Sequence, residues 1–398
     1  MSHLAFQSDG QDQLRKIQQR SLLASLPGAV ACVALAILVP SSFWPAYLVS
    51  VLFVVGTCLG CLGLSLLHQM TGGQWGLEIA RHLVAATATL PLTALLFLPL
   101  IIGAMSIYPW LDSARASELL NRHQRIYFEV WAWAGRAVIY LLAWGLLSWM
   151  VVRRYGLLRR SGELGEWCAT PRLIALGLLA LSLTTTFAMI DWVMSLEPKW
   201  MSTIFAAILM MGFVVSGMSF VLMMQMLPNS RATLPADAKS EHARALDLGN
   251  LLMAFLLLWV YFAISQFLII WSGDLPIETS WYQRRLTGVW PGFGLSLLLF
   301  HFIVPFGSLL SRDVKTNPIA VAVVAGDLLL MRVVDLAWTI IPSCGVGGNW
   351  WMVCLPVALI TVCSAWFGIF LRLRATLPPL HMEPLATIPT ARLEAITS

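Results

Sequence analysis

Six ionisable side chains stand in otherwise apolar surroundings: Arg136, Asp191, His301, Asp327, Arg332 and Asp335. Arg136 lies in Trp131-Ala132-Trp133-Ala134-Gly135-Arg136-Ala137-Val138-Ile139-Tyr140. It is too deep in that stretch to snorkel to water, so it needs a carboxylate or a group of carbonyls. It reads either as half of a structural ion pair between helices or as a cation that orients a bound molecule or tunes a neighbouring acid. Asp191 follows Phe187-Ala188-Met189-Ile190 and precedes the polar turn Glu197-Pro198-Lys199-Trp200. A carboxylate there can take up and release a proton, or it can bond loop amides at a helix end.

Arg332 and Asp335 are three residues apart and share a helical face, whereas Asp327 is less well aligned. Three ionisable groups in one apolar stretch must face a polar interior; they make either a working site or a structural charge cluster. His301 can relay a proton, bind a metal or ligate haem, or simply pack. A haem held by two histidines needs a facing mate, and neither His68 nor His82 is an obvious one. Gln266 with Ser265, and Asn250 with Asp247, add polar positions at the two ends of one stretch.

Membrane-crossing helices must position these groups. Hydrophobic residues make up 59% of the chain and charged ones 11%, an imbalance that a soluble protein of 398 residues could not hide from water. The expected fold is all-α and polytopic. Its ten spans lie near 22–39, 45–67, 83–107, 128–151, 172–195, 201–226, 247–271, 289–310, 317–341 and 351–372. Residues 1–21 are expected to form an N-terminal segment, 22–372 the membrane domain, and 373–398 a polar, Pro-rich, poorly ordered tail. Trp44, Trp110, Trp200, Trp271, Trp281, Trp350 and Trp351 fall near span ends, as an interfacial belt would.

No A-x-A-like cleavage site follows the first apolar stretch, so no cleaved signal peptide is expected. Of the Lys and Arg residues, 17 fall on the side that holds both termini and 6 on the opposite side, which predicts cytoplasmic termini. The net charge of +5 sits in loops between spans and is not a nucleic-acid signature. Cys58 and Cys61 form a C-x-x-C inside an apolar helix without a second ligand pair, the pattern of small packing residues.

Several stretches resemble a known family. They are Gly72-Gly73-Gln74-Trp75-Gly76, Thr89-Leu90-Pro91-Leu92 through Phe97-Leu98-Pro99 to Tyr108-Pro109-Trp110, Asp191-Trp192-Val193-Met194-Ser195-Leu196-Glu197-Pro198-Lys199-Trp200-Met201-Ser202-Thr203, Gln266-Phe267-Leu268-Ile269-Ile270-Trp271-Ser272-Gly273, Ser311-Arg312-Asp313 and Leu330-Met331-Arg332-Val333-Val334-Asp335. Together, over roughly residues 65–341, they resemble a membrane subunit of alternative complex III, the quinol:cytochrome c oxidoreductase. The likeness is to its F-type subunit, of the polysulfide-reductase (NrfD-like) membrane subunit family.

That resemblance implies two four-helix bundles with flanking helices, in a bacterial inner membrane. It implies an energy-conserving quinol oxidoreductase whose haem and iron–sulfur clusters sit in partner subunits, beside a related membrane subunit, with no cofactor bound by this chain. Asp191 or Asp335 would receive protons from quinol, Arg136 and Arg332 would balance those carboxylates, and His301 would be a relay. The alternatives are a stand-alone secondary transporter, whose marker would be broken helices at matching points in two halves, and a purely structural anchor.

Overall fold

A computed structural model describes residues 2–161, 171–227, 238–346 and 348–377, and no strand occurs among them. Helices form on all ten apolar stretches: α1 (Ser2–Leu38), α2 (Pro40–Thr71), α3 (Trp75–Ile107), α4 (Val130–Ser161), α5 (Pro171–Trp192), α6 (Phe205–Met224), α7 (Ala238–Gly273), α8 (Trp290–Leu310), α9 (Pro318–Ile340) and α10 (Trp351–Thr376). Among the described residues nine are long and apolar enough to cross a bilayer. The tenth, α9, has 23 residues and so the length to cross as well, but it carries Asp327, Arg332 and Asp335. The chain is a polytopic helical membrane protein.

Helix ends depart from the expected spans in one consistent way. α1 is already helical at Ser2, α4 runs on to Ser161, α7 starts at Ala238 and α10 reaches Thr376. Residues 2–21 are therefore part of the first helix and residues 373–376 part of the last, rather than separate segments. Hydropathy marks where the apolar core ends, while a helix satisfies its own backbone and continues into water. The rest of the expected tail, 378–398, lies outside the described residues, as do 162–170 and 228–237 in the two longest expected loops on that side.

Two helices are interrupted. α3 breaks into Trp75–Thr87, Leu90–Thr93, a tight turn at Ala94–Phe97 and Leu98–Ile107. Pro91 and Pro99 lie at these joints, where a missing N–H breaks the ladder. α8 widens into a π-helical segment, Leu297–Ile303. Pro305, just beyond it, cannot donate to the carbonyl of His301, and the wider turn accommodates that loss.

α2 to α5 pack as one bundle and α6 to α9 as a second, while α1 and α10 pair with each other and lie along α2. α2 is the hub: its apolar window is 89% buried. Gly56 and Gly60, one turn apart, leave room for Phe213 of α6, and Gly217 of α6 lies against the backbone of Gly60 and Cys61. Small residues let two helices approach this closely. Ser50, Thr57 and Ser65 donate to carbonyls four residues back, so α2 is buried without orphaned hydroxyls at these positions.

Cross-links sort the loops onto two sides. On the near side, which holds the N-terminus of α1, Gln225 reaches Glu78 and Arg81 donates to Leu377. On the far side, Gln124 donates to Pro198, Trp200 to Glu278 and Ser343 to Glu197. Trp44, Trp110, Trp200, Trp281 and Trp351 are buried, and only Trp271 and Trp350 of the seven expected belt residues are exposed. The buried ones join ring clusters that plug the far ends of the bundles: Trp200 stacks on Trp281 at 5.2 Å and Trp110 packs on Phe128 at 4.9 Å. They wall in polar groups rather than anchor the protein in headgroups.

Candidate functional site

The first bundle places Arg136 of α4 against Asp191 at the end of α5. Arg136 Nε donates to Asp191 Oδ2 at 2.8 Å and Nη2 to Oδ1 at 2.9 Å, a bidentate pair. Tyr140, one turn along α4, donates its hydroxyl to Oδ2 at 2.8 Å. Nη1 of Arg136 is tied to the carbonyl of Tyr127, and the guanidinium lies 3.9 Å over the Tyr127 ring. Trp133 and Ser195 both donate to the backbone carbonyl of Asp191. Asp191 is fully buried, whereas the Arg136 side chain keeps 21% of its exposure. The carboxylate accepts three hydrogen bonds.

The second bundle places Arg332 and Asp335 on one face of α9, where they form a buried ion pair. The partner of Asp335 is thus on its own helix, while Arg332 reaches across: Nη2 donates to the carbonyl of Leu209 on α6 at 3.2 Å, and the guanidinium lies 5.0 Å from the Phe213 ring. Nε of Arg332 has no protein partner. His301, in the π-helical segment of α8, is fully buried and its ring lies 4.2 Å from that of Trp259 on α7. Neither His301 ring nitrogen, nor the Trp259 indole nitrogen, nor Oδ2 of Asp327 makes a hydrogen bond of ordinary geometry. Buried polar atoms of this kind usually have partners, and ordered water commonly supplies them.

The six groups singled out in the sequence thus divide between the bundles: Arg136 and Asp191 meet in one, and His301, Asp327, Arg332 and Asp335 share the other. In each, a carboxylate stands in the far half of the fourth helix and pairs with a guanidinium.

A third cluster was not singled out. Glu197, just beyond α5 on the far side, lies 3.6 Å from Arg285 and 3.7 Å from Arg284, and Oε1 accepts from Ser343 Oγ at 2.6 Å. Arg285 also donates to the carbonyls of Trp281, Trp338 and Thr339 and to Ser343 Oγ, and its guanidinium lies 3.4 Å over the Trp281 ring. Burial pushes the Arg285 guanidinium down to about 9, opposed by Glu197. As loop residues, Arg284 and Arg285 counted only towards orientation. No spacing in the sequence ties them to Glu197, 87 and 88 residues earlier.

Near-side polar groups line a cavity of about 320 Å³ that includes Glu78, Glu241, Arg244 and Lys315. Arg244 pairs with Glu78 at 3.3 Å, and Lys315 donates to Asn250 at 2.6 Å. At the other end of α7, Gln266 accepts from Ser202 at 2.8 Å. The C-x-x-C sulfurs are occupied in packing: Cys58 meets Thr89 Oγ1 at 3.2 Å and Cys61 points to the carbonyl of Gly217. Among the described residues no three His, Cys, Asp or Glu side chains converge as a metal-ligand set. Comparison with protein-family models and with curated proteins finds no match for the chain.

Proposed function

We propose that this chain is an integral subunit of a bacterial quinol:electron-acceptor oxidoreductase, of the alternative complex III type, and that it handles protons within the membrane. The observation that carries the reading is the repeated far-half carboxylate–guanidinium pair, one in each four-helix bundle, joined in the second by a fully buried histidine whose ring nitrogens make no hydrogen bond of ordinary geometry. The sequence resemblance supplies the chemistry: quinol oxidation at the far side liberates protons, and electrons leave through haem and iron–sulfur partners. Asp191 and Asp335 take and pass protons, Arg136 and Arg332 balance those carboxylates, and His301 relays in the near half of the second bundle. The near side is the cytoplasm on this reading, in keeping with its excess of cations.

The helix interruptions do not favour the transporter alternative. They fall in the second helix of one bundle and the third helix of the other, not at matching points.

Purification from native membranes under mild detergent, with a tag on this chain, tests the reading. Haem- and iron–sulfur-bearing partners and quinol-dependent reduction of an acceptor are expected to copurify. An isolated chain without such partners overturns the reading in favour of a transporter or anchor.

A further inference from the structure

Asp335, Thr339 and Ser343 recur every four residues along α9 and the turn that follows it, and all three are buried. Residues four apart share a helical face and rise about 6 Å per step. The row begins at the Arg332–Asp335 pair and ends at Glu197, which accepts from Ser343 Oγ. Glu197 is itself 7% exposed, and its Oε2 edge lies toward Arg284, whose side chain is 53% exposed. The row therefore leads from the membrane interior of the second bundle to the far-side surface.

The two far-side carboxylates are built alike. Asp191 has Arg136, a hydroxyl from Tyr140 and a guanidinium seated on Tyr127. Glu197 has Arg285, a hydroxyl from Ser343 and a guanidinium seated on Trp281. Asp191 ends α5 and Glu197 follows six positions later in the α5–α6 connection, so one short stretch supplies a carboxylate to the far end of each bundle.

We infer that Glu197 is the proton-releasing terminus of the second bundle, fed from Asp335 through the hydroxyls of Thr339 and Ser343; this rests on the proton-handling reading above. The proton leaves the Asp335 carboxyl, each hydroxyl oxygen accepts one proton and passes its own onward, and the Glu197 carboxylate gains one and yields it to far-side water. No charge is left on either hydroxyl, and each one-turn step, about 6 Å of rise, requires a bridging water. Arg285 and Arg284 lie beside the departing side of Glu197, at 3.6 and 3.7 Å. Glu197 acts on the proton itself, whereas Ser343 and Arg285 position it.

The test uses the intact complex with E197Q, E197D and S343A in this chain, reading proton release per electron and the pH profile of quinol turnover. E197Q and S343A are expected to cut coupled proton release at least threefold with assembly intact, and E197D to restore most of it. S343A leaves both Arg–Glu pairs in place, so it remains decisive where E197Q fails to assemble. Unchanged stoichiometry and pH profile in an assembled S343A or E197Q complex overturn the inference. A second measurement, infrared titration of the purified chain labelled with carbon-13 glutamate, needs no quinol. There D335N is expected to move the carboxyl band that E197Q removes. Movement of that band in a protein without quinol activity separates failure of the functional reading from failure of this inference, and a band indifferent to D335N overturns the inference alone.

Discussion

Gly212 of α6 lies against the guanidinium of Arg332, and a Cβ at that position would occupy the space of the arginine's terminal atoms. The glycine is the socket that lets a buried cation reach the Leu209 carbonyl and pair with Asp335. Gly212→Ala is expected to cost about 1–3 kcal/mol, the usual range for overpacking, read as a lower unfolding temperature in detergent. Gly135→Ala is the control: nothing lies within 4 Å of a Cβ there, so it is expected to be neutral or slightly stabilising.

Removing one member of the Asp191–Arg136 pair strands the other. Breaking a fully buried pair typically costs about 3–5 kcal/mol, and the partial exposure of Arg136 puts the expected loss for Asp191→Ala toward the lower end of that range. Tyr140→Phe, which removes one charge-assisted bond, is expected to cost about 1.5–3 kcal/mol. A double-mutant cycle between Arg136 and Asp191 checks this. A coupling energy under about 0.5 kcal/mol would show that the two side chains act independently.

The pairing of bundles was legible in the sequence only in part. Periodicity and hydropathy located all ten helices, because a bilayer demands about 20 apolar residues per crossing. Buried charges marked Arg136, Asp191, Arg332 and Asp335, because lipid tolerates so few of them. The Glu197–Arg285–Ser343 cluster was not legible. Its members sit in polar connections, where charge is unremarkable, and only the tertiary fold brings residue 197 to residues 285 and 343. The buried tryptophans were misread for a related reason: position near a span end says nothing about whether a ring faces headgroups or a neighbouring helix.

Cys344 reports on that cluster. Burial pushes its thiol from an ordinary 9 up to about 12, Glu197 adds to the rise and Arg285 opposes it. At pH 8 its thiolate is then about a thousandfold scarcer than that of an ordinary cysteine, since each unit is tenfold. Alkylation of Cys344, followed by mass spectrometry, is expected to be slower than in the unfolded chain by about that factor and faster in E197Q. A folded pKa above the unfolded value also means that this thiol's contribution to stability is whole below pH 9 and declines as pH rises from 9 towards 12. Alkylation as fast in the folded as in the unfolded protein at pH 8 would contradict this.

On the proposed reading, the excess of cations on the side of the N-terminus predicts that both termini are cytoplasmic. Single cysteines introduced at Ser2 and Ser398 in a background cleared of accessible thiols are expected to resist a membrane-impermeant maleimide in intact cells and to label after lysis. Labelling of either in intact cells would reverse the orientation.

The embrace of α1 by α10, with both laid along α2, bears on how the protein is made. The hub helix is synthesised well before α10, one of its main partners. During translation the GxxxG face of α2 stays open until α6 is inserted, and the face that α10 covers stays open until that helix follows. A chain stopped before Trp351 would leave the faces of α1 and α2 that α10 covers open to lipid.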